Sequence, residues 1–326
     1  MKAIVATDYG PPEVLRLTEV AKPVPDGGEL LVRVRATTVT RGDARIRSST
    51  YAPWFQIPSR FMYGFRRPRK AVPGNEFAGV VEEVGQSVTL FDPGDEVFGV
   101  LWGTAFAGAN AEFLCIGEDE MVAPKPVGVS HEEAAALPVG GLTALHFLRR
   151  AGLRSGQNIL IVGGSGSVGT FAVQLAKHFG ADVTAVCSTA NVDLLKDLGA
   201  DRVIDYTDED FTRIDQTFDV VFDAVSKTSF SACRDLLSVD GVFATTDWPM
   251  HLALWTRMRG GRRVVIGIAK KDPADLRKLA ELAEAGELRS VVGRSYRLEA
   301  AAAAHHLVDG GHKVGNVVLT LGQGDD

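Results

Sequence analysis

The run Val162-Gly163-Gly164-Ser165-Gly166-Ser167-Val168-Gly169 has residue types and spacing suited to holding a phosphate. Backbone N–H groups must come close to the anion, and side chains would obstruct them. Gly-x-Gly-x-x-Gly, formed here by Gly164, Gly166 and Gly169, removes that obstruction. The expected division of labour is a tight turn at Gly164, backbone approach to a dinucleotide pyrophosphate at Gly166 and close helix–strand packing at Gly169. A helix opening there adds a positive dipole end. A plain βα turn can share the spacing, so the flanking elements decide. An apolar run, 158–162, precedes the turn. Val168, Ala172, Leu175, Ala176 and Phe179 follow at helical spacing up to Gly180.

The second strand of such a unit ends near Cys187-Ser188-Thr189, where an NAD enzyme places an acid on the adenosine ribose. No acid stands there: Asp182 lies at the strand's start and Asp193 in the next helix. A carboxylate would repel a 2′-phosphate, whereas small hydroxyls would donate to it. The pattern favours NADPH over NADH, although the basic partner is also missing: Ala190 and Asn191 follow, and Lys196 is the nearest base.

Such a turn needs a parallel sheet around it, and the chain from 158 onward has the required alternation. Strand patterns fall at 158–162, 182–187, 202–204, 219–222, 242–245 and 263–268, with helical runs at 167–179, 192–198 and 229–237. This predicts a doubly wound parallel sheet with ligand at the carboxyl ends of its strands. Upstream, Ser130-His131-Glu132-Glu133 is a capping box that opens one helix, and Pro138 begins another that ends at Gly152. Residues 1–124 read as β-rich, with strand patterns at 2–7, 14–20, 29–40, 77–84, 96–100 and 111–116. Within 29–40, Val32, Val34 and Ala36 share one face, and Arg33 and Arg35 the other. Residues 51–70 break the pattern with six aromatic side chains and several arginines. They read as a long loop with room for a helical turn, either a surface excursion or a flap over a pocket. In the tail, Asp272 and Pro273 start a helix that Gly286 ends. A strand (288–296), a helix (299–308) and a last strand (315–321) follow, and these strands are expected to return to the N-terminal β domain.

Composition narrows the classes. The 326 residues suffice for two domains, and 45% hydrophobic with 23% charged residues fits a globular protein. A net charge of −6 speaks against bulk nucleic-acid binding and against a basic membrane surface. Three scattered cysteines, Cys115, Cys187 and Cys233, exclude a disulfide scaffold and suit a reducing cytoplasm. No run approaches the roughly 18 to 20 apolar residues that span a bilayer. No secretory signal is read at the N-terminus, which turns polar at Asp8.

Several further stretches appear in order: Pro73-Gly74-Asn75-Glu76-Phe77-Ala78-Gly79-Val80-Val81, Pro93-Gly94-Asp95-Glu96-Val97, Ala134-Ala135-Ala136-Leu137-Pro138 with Leu142-Thr143-Ala144, Leu198-Gly199-Ala200-Asp201 with Ile204-Asp205-Tyr206, and Gly315-Asn316-Val317-Val318. With the glycine turn they resemble, over essentially the whole chain, the zinc-free quinone oxidoreductase branch of the medium-chain dehydrogenase/reductase superfamily. The resemblance implies an α/β fold: a Rossmann doubly wound sheet (125–267) and a GroES-like β-rich catalytic domain (1–124 with 268–326).

By resemblance, Gly163, Gly164, Ser165, Gly166, Ser167, Val168 and Gly169 form the phosphate turn, and Thr143 starts a turn against the nicotinamide ribose or phosphate. Ser188 and Tyr206 would meet the 2′-phosphate, while Asp223 and Val225 line the adenosine and ribose side. Thr245, Thr246, Val265 and Ile266 flank the nicotinamide, and Asn316 replaces a polar or basic residue near the cofactor. Thr40 and Asp43 face the reacting ring, although Asp43 reads equally well as a helix cap. The superfamily's alcohol dehydrogenases hold zinc where this chain has Thr40, Asn75 and, approximately, Val139. None is a thiolate or imidazole, so no zinc is expected.

Without a Lewis acid, the implied chemistry is hydride transfer from NADPH to a quinone or an enone or enal, acceptors that delocalise the developing charge. Expected partners are such small molecules and a second copy, paired through the edge strand from Arg263 to Ile268; nucleic acid and membrane are not expected. A zinc-free alcohol or aldehyde oxidoreductase, or an NADPH-binding structural or sensor protein, would share these features. A short-chain dehydrogenase would not, because Tyr63, Tyr206 and Tyr296 are followed four residues on by Arg67, Asp210 and Ala300 instead of lysine.

Overall fold

The computed structural model describes residues 1–51, 53–68, 71–101, 108–246 and 261–322. Their contacts fall into two units, one of Met1–Pro138, Lys271–Glu284 and Ser290–Asp326, the other of Val139–Lys270 and Ala285–Arg289. The first division lies at Pro138, later than residue 124, for a local reason. Helix α3 (His131–Ala135), capped by Ser130 and Glu133, packs on β3 (Glu29–Thr38) and β4 (Glu76–Val84) and so belongs with them.

In the first unit, β1 (Lys2–Ala6) and β2 (Leu15–Glu19) form an antiparallel pair. A seven-stranded sheet contains β3, β4, β5 (Glu96–Val100), β6 (Phe113–Gly117), β7 (Val122–Pro124), β14 (Val292–Arg297) and β15 (Asn316–Thr320). Strand β3 is its spine. Val32 and Val34 are buried while Arg33 between them is exposed, the alternation that a half-covered strand requires. The tail does return: β15 runs antiparallel to β3 with Val318 opposite Thr38, and β14 lies parallel to β15. The tail's first helix, α8 (Pro273–Glu284), starts where Asp272 Oδ1 accepts the Ala274 N–H at 2.9 Å.

Two helices depart from the sequence reading. Strand β3 stops at Thr38 because Thr40 caps α1 (Arg41–Ser48). The region read as a long loop contains α2 (Pro53–Tyr63), which tolerates Pro58 in its interior. Distant contacts hold α2 where local propensity would not. Tyr63 stacks on Tyr51 with centroids 5.8 Å apart, Ser59 is buried, and the Tyr9 hydroxyl donates to the Gly64 carbonyl at 2.9 Å.

The second unit is a six-stranded parallel sheet ordered β10–β9–β8–β11–β12–β13. These are β8 (Asn158–Val162), β9 (Asp182–Cys187), β10 (Arg202–Asp205), β11 (Phe218–Asp223), β12 (Leu237–Thr245) and β13 (Arg263–Val265). In chain order this is 3-2-1-4-5-6, the arrangement that opens a crevice beside the first strand. Helices α4 (Pro138–Ala151), α5 (Ser167–His178), α6 (Val192–Asp197) and the short α7 (Phe230–Cys233) connect the strands. In the central strands β8, β9 and β11 nearly every residue is buried, because both faces of the sheet are covered. Among the described residues, no helix is long and apolar enough to cross a membrane.

Among the polar residues buried in the first unit, one is an arginine. Arg47 of α1 is fully buried against α9 (Ala301–Asp309), where its Nε donates to His305 Nδ1 at 3.3 Å. Its Nη1 donates to the Gly10 carbonyl and its Nη2 to Asp309 Oδ2, each at 2.5 Å. Burial, reinforced by the Arg47 charge, pushes His305 down to about 3 from the ordinary 6.5. The folded protein therefore holds a neutral imidazole that can accept, while the unfolded chain protonates it below 6.5. This contribution to stability is complete above that value and is lost as pH falls through the window towards 3, by about 1.4 kcal/mol per pH unit. His305→Asn keeps a neutral acceptor for Arg47 and removes the proton. Urea unfolding should show the stability lost between about pH 7 and about pH 5 shrinking by about 2 kcal/mol in that variant.

Candidate functional site

The carboxyl edge of the parallel sheet collects the residues expected to meet a dinucleotide. Val162, Asp223 and Thr245 end β8, β11 and β12 in one register row, while Asp205 of β10 faces Cys187 of β9. From Val162 the chain turns through Gly163, whose φ of +79° is the left-handed value that glycine adopts without strain. The tight-turn role thus belongs to Gly163 and not to Gly164. A Cβ on Gly164 would instead meet Leu195 Cδ1 at 2.9 Å and Ala185 Cβ at 3.1 Å, so that glycine lets the turn lie against β9 and α6.

Gly169 brings α5 onto the turn, as its spacing predicts. A Cβ there would sit 2.1 Å from the Gly163 carbonyl oxygen and 2.7 Å from Gly164 Cα. Gly166 differs from both. Its nearest neighbour for a Cβ is the Gly163 oxygen at 3.5 Å, an ordinary contact. The protein alone does not require glycine there. Gly166 is the N-cap of that helix and supplies no side chain to it. A helix start without a side-chain cap leaves N–H donors for an anion.

Beside the turn lies a polar cluster. Asn191 Nδ2 donates to Ser165 Oγ at 3.3 Å and to Ser188 Oγ at 3.2 Å, joining the glycine turn to the end of β9. Tyr206 follows β10 with its ring half exposed. The sequence reading missed Asp205, having looked for an acid only after β9. Strand order places Asp205 next door, where Thr207 donates to Oδ1 through N–H at 2.9 Å and hydroxyl at 2.7 Å. Hydrogen bonds from Thr189 and Thr207 hold its carboxyl below the usual range, so it is ionised at neutral pH. The adjacency of β10 to β9 would have revealed it.

Asp223 is fully buried and does not line a ligand surface directly. Its Oδ1 accepts from the Val225 N–H at 3.1 Å and the Lys227 N–H at 3.3 Å, and its Oδ2 from the Thr228 N–H at 2.9 Å. Burial raises its carboxyl above the usual value, against those backbone donors. The carboxylate thereby shapes the loop that sets Val225 against Gly163, where a Cβ would lie 2.5 Å from Val225 Cγ1. Thr143, expected to start a turn, is half-buried inside α4. Thr246 donates its N–H to the Asp223 carbonyl at 3.2 Å, Val265 is buried at the end of β13, and the Ile266 carbonyl accepts from Arg150 at 3.1 Å.

Thr40, Asp43 and Asn316 belong to the first unit. Thr40 and Asp43 form a complete capping box. The Thr40 hydroxyl donates to Asp43 Oδ2 at 2.6 Å, and Thr40 Oγ1 accepts the Asp43 N–H at 3.1 Å. Asp43 is fully buried, and burial raises its carboxyl despite the Thr40 bonds. Asn75 Oδ1 is buried with no hydrogen-bond partner among the described residues. Next to Asn75, buried Glu76 accepts from the Thr38 hydroxyl. Lys313, half-buried, is pushed down to about 8 by burial, and the Glu76 charge works against that shift. Asn316 begins β15 beside the end of β3, where the Val39 N–H donates to the Val317 carbonyl at 2.9 Å. Among the described residues, no three His, Cys, Asp or Glu side chains are grouped to hold a metal.

The alcohol dehydrogenase GroES-like domain family matches residues 26–144, and the zinc-binding dehydrogenase family matches 198–319. The chloroplastic quinone-oxidoreductase QR1 of Triphysaria versicolor is 32% identical over 98% of both chains. The chain belongs to the medium-chain dehydrogenase/reductase superfamily, in its quinone oxidoreductase branch. The 2-methylene-furan-3-one reductase of Solanum lycopersicum is 40% identical over 70% of this chain, a match that spans only 58% of that longer protein. The structure of the quinone oxidoreductase from Coxiella burnetii superposes with a TM-score of 0.87 at 29% identity, covering 99% of each chain.

Two groups are common in this superfamily, and the residues present suit them differently. The cradle suits a dinucleotide, because a Cβ at Gly166 would meet no non-neighbouring protein atom closer than 3.5 Å and α5 begins without a side-chain cap. The donor set does not suit zinc. The hydroxyl at Thr40 is engaged by Asp43, Asn75 offers an amide, and Val139 has no donor atom in its side chain. Gly169 and Gly166 differ in what a side chain would meet. Gly169→Ala should lower stability by about 3 kcal/mol through its clash with backbone. Gly166→Ala should cost at most about 1 kcal/mol. Urea unfolding of the two variants checks the contrast.

Proposed function

We propose that this chain is a zinc-independent, NADPH-dependent reductase that transfers hydride to a quinone or an α,β-unsaturated carbonyl. The observation that carries the reading is Thr40, which stands where the superfamily's alcohol dehydrogenases hold a metal cysteine and whose one proton is given to Asp43. A hydroxyl so engaged cannot stabilise an alkoxide. It suits an acceptor that spreads negative charge over its own π-system.

Bound NADPH supplies a hydride equivalent; the protein binds, orients and keeps water away. The backbone from Gly163 to Gly169, with Ser165, Ser167 and Val168, holds the pyrophosphate against the first turn of α5. Ser188, kept in place by Asn191, and the exposed face of Tyr206 take the adenosine end and its 2′-phosphate. Asp223 is a positioning residue that acts through Val225. Thr143, Thr245, Thr246, Val265 and Ile266 serve the nicotinamide side, and Asn316 is read as a further cofactor-binding residue. While Asp43 is ionised, the Thr40 hydroxyl donates its proton to Asp43 Oδ2 and offers a ligand only its acceptor lone pair, so it orients a donor group, and solvent protonates the reduced acceptor. Buried Asp43 is a positioning residue for Thr40. The second unit serves as the dinucleotide domain and the first as the catalytic domain. The edge position of β13, with Ile268 exposed beyond it, supports a homodimer. Three free cysteines support a reducing, cytoplasmic setting.

Absorbance assays of NADPH oxidation with 9,10-phenanthrenequinone, an enal and a simple aldehyde test the reading. Turnover of the quinone or the enal is expected, without stoichiometric zinc by metal analysis. Turnover of the aldehyde alone would indicate an alcohol or aldehyde oxidoreductase, and turnover of none a binding protein. Gly166→Ala should weaken NADPH binding about tenfold or more while the fold survives. Asp205→Asn should raise the NADPH-to-NADH ratio of kcat/KM about fivefold by removing a charge that opposes the 2′-phosphate.

A further inference from the structure

Four of the twelve exposed large apolar side chains fall within nine residues of one another, on and just after α2. Ile57 is 68% exposed, Phe61 65%, Met62 53% and Phe65 70%. Ile57 and Phe61 are one helical turn apart, and the Phe61 and Phe65 rings lie with centroids 6.2 Å apart, so the stripe is continuous. The opposite side of α2 is held by buried Ser59 and by Tyr63 on Tyr51. The turn after it is pinned as well: Arg60 donates to the Phe65 carbonyl at 3.2 Å and lies 4.3 Å over the Tyr9 ring. The helix therefore presents its apolar stripe outwards on a fixed mount. The remaining exposed apolar side chains are spread along the chain and need no explanation.

Charge identifies what the stripe meets. Arg66 and Arg67 are exposed and follow Phe65 directly. Between Asp43 and Glu76 the sequence contains no acidic residue, and it adds Arg69 and Lys70, which lie outside the described residues. A net charge of −6 for the whole chain conceals this local cationic run. Apolar and aromatic side chains bordered by arginines match the boundary between acyl chains and anionic headgroups. A two-fold contact with a second copy through this face would bring both copies of Arg66 and Arg67 together, which like charge opposes.

We propose that the outward face of α2, with Arg66 and Arg67, docks this protein on an anionic lipid bilayer. The docking replaces the expectation of no membrane partner, which rested on the charge of the whole chain. It does not depend on the acceptor assigned above, although an apolar quinone or enal would concentrate in the same bilayer.

Cosedimentation of the full chain with vesicles tests the proposal. Binding to phosphatidylcholine vesicles containing about 30% phosphatidylserine is expected, with little binding to phosphatidylcholine alone and release at about 0.5 M NaCl. Each cation near such a surface changes partitioning about fivefold, so Arg66→Glu with Arg67→Glu should weaken binding at least about 25-fold. Phe61→Ser with Phe65→Ser should abolish it at low salt, and circular dichroism should show both variants folded. Absence of binding to anionic vesicles overturns the proposal, as does equal binding by the arginine variant. Capture by polyglutamate without vesicle binding would assign the face to an acidic protein and overturn it. A dimer that the phenylalanine variant converts to monomer, again without vesicle binding, would assign the face to a second copy with the same consequence.

Discussion

The backbone contact between Gly169 and the Gly163 carbonyl is the constraint on which the second unit depends. A Cβ at 2.1 Å from that oxygen would push α5 off the end of β8. With the helix in place, its first turn opens at Ser167 and directs its N–H groups over the carboxyl edge of the sheet. The same edge then has to be shaped by its neighbours. Buried Asp223 uses both carboxylate oxygens to fold the loop that seats Val225 on the turn, and Asn191 ties the turn to Ser188. These polar groups are satisfied by the backbone and by one another, which keeps the edge ordered before any ligand arrives.

The first unit solves a comparable problem at α1. Asp43 and Thr40 hold its N-terminus, and buried Arg47 holds its far end against α9. Both devices place an ionisable group in a region that disfavours charge, and they answer the cost differently. Arg47 keeps its charge by donating to a carbonyl, a carboxylate and a neutral imidazole. Asp43 accepts from Thr40 through Oδ2, yet burial outweighs those bonds and raises its carboxyl. The direction of the Thr40 hydroxyl follows from that carboxyl, since an ionised Asp43 claims the proton and a protonated one would release it.

Long, periodic features were legible in the sequence. The parallel alternation from β8 to β13, the α5 helix and the Ser130 capping box follow from spacing and turn chemistry, and the end of the βα alternation signalled the tail's return to the N-terminal β domain. Features that depend on distant partners were not. Helix α2 contains a proline and owes its form to Tyr51, Tyr9 and Gly64, which no local window includes. Helix α1 carried a readable signal, Thr-x-x-Asp, yet the strand pattern before it was read through to its cap, Thr40. The strand–turn–helix order around the glycines was legible, but the tight turn falls at Gly163, one residue before the expected Gly164. Spacing does not reveal which of two adjacent glycines takes the positive φ.

Charge shows the same limit of one-dimensional reading. An acid was sought after β9 because the second strand's end approaches the adenosine ribose, and none was found there. Strand pairing then placed Asp205 of the neighbouring β10 level with Cys187, so the local field contains an anion that the linear search passed over. The average over the whole chain is similarly blind to Arg66 and Arg67, because its −6 sums residues far apart on the fold. At physiological salt a charge is felt over about 8 Å, so a ligand or surface responds to the few groups within that reach. The relevant sum at each site is therefore set by topology: the pairing of β9 with β10 for the nucleotide, and the outward turn of α2 for the cationic face.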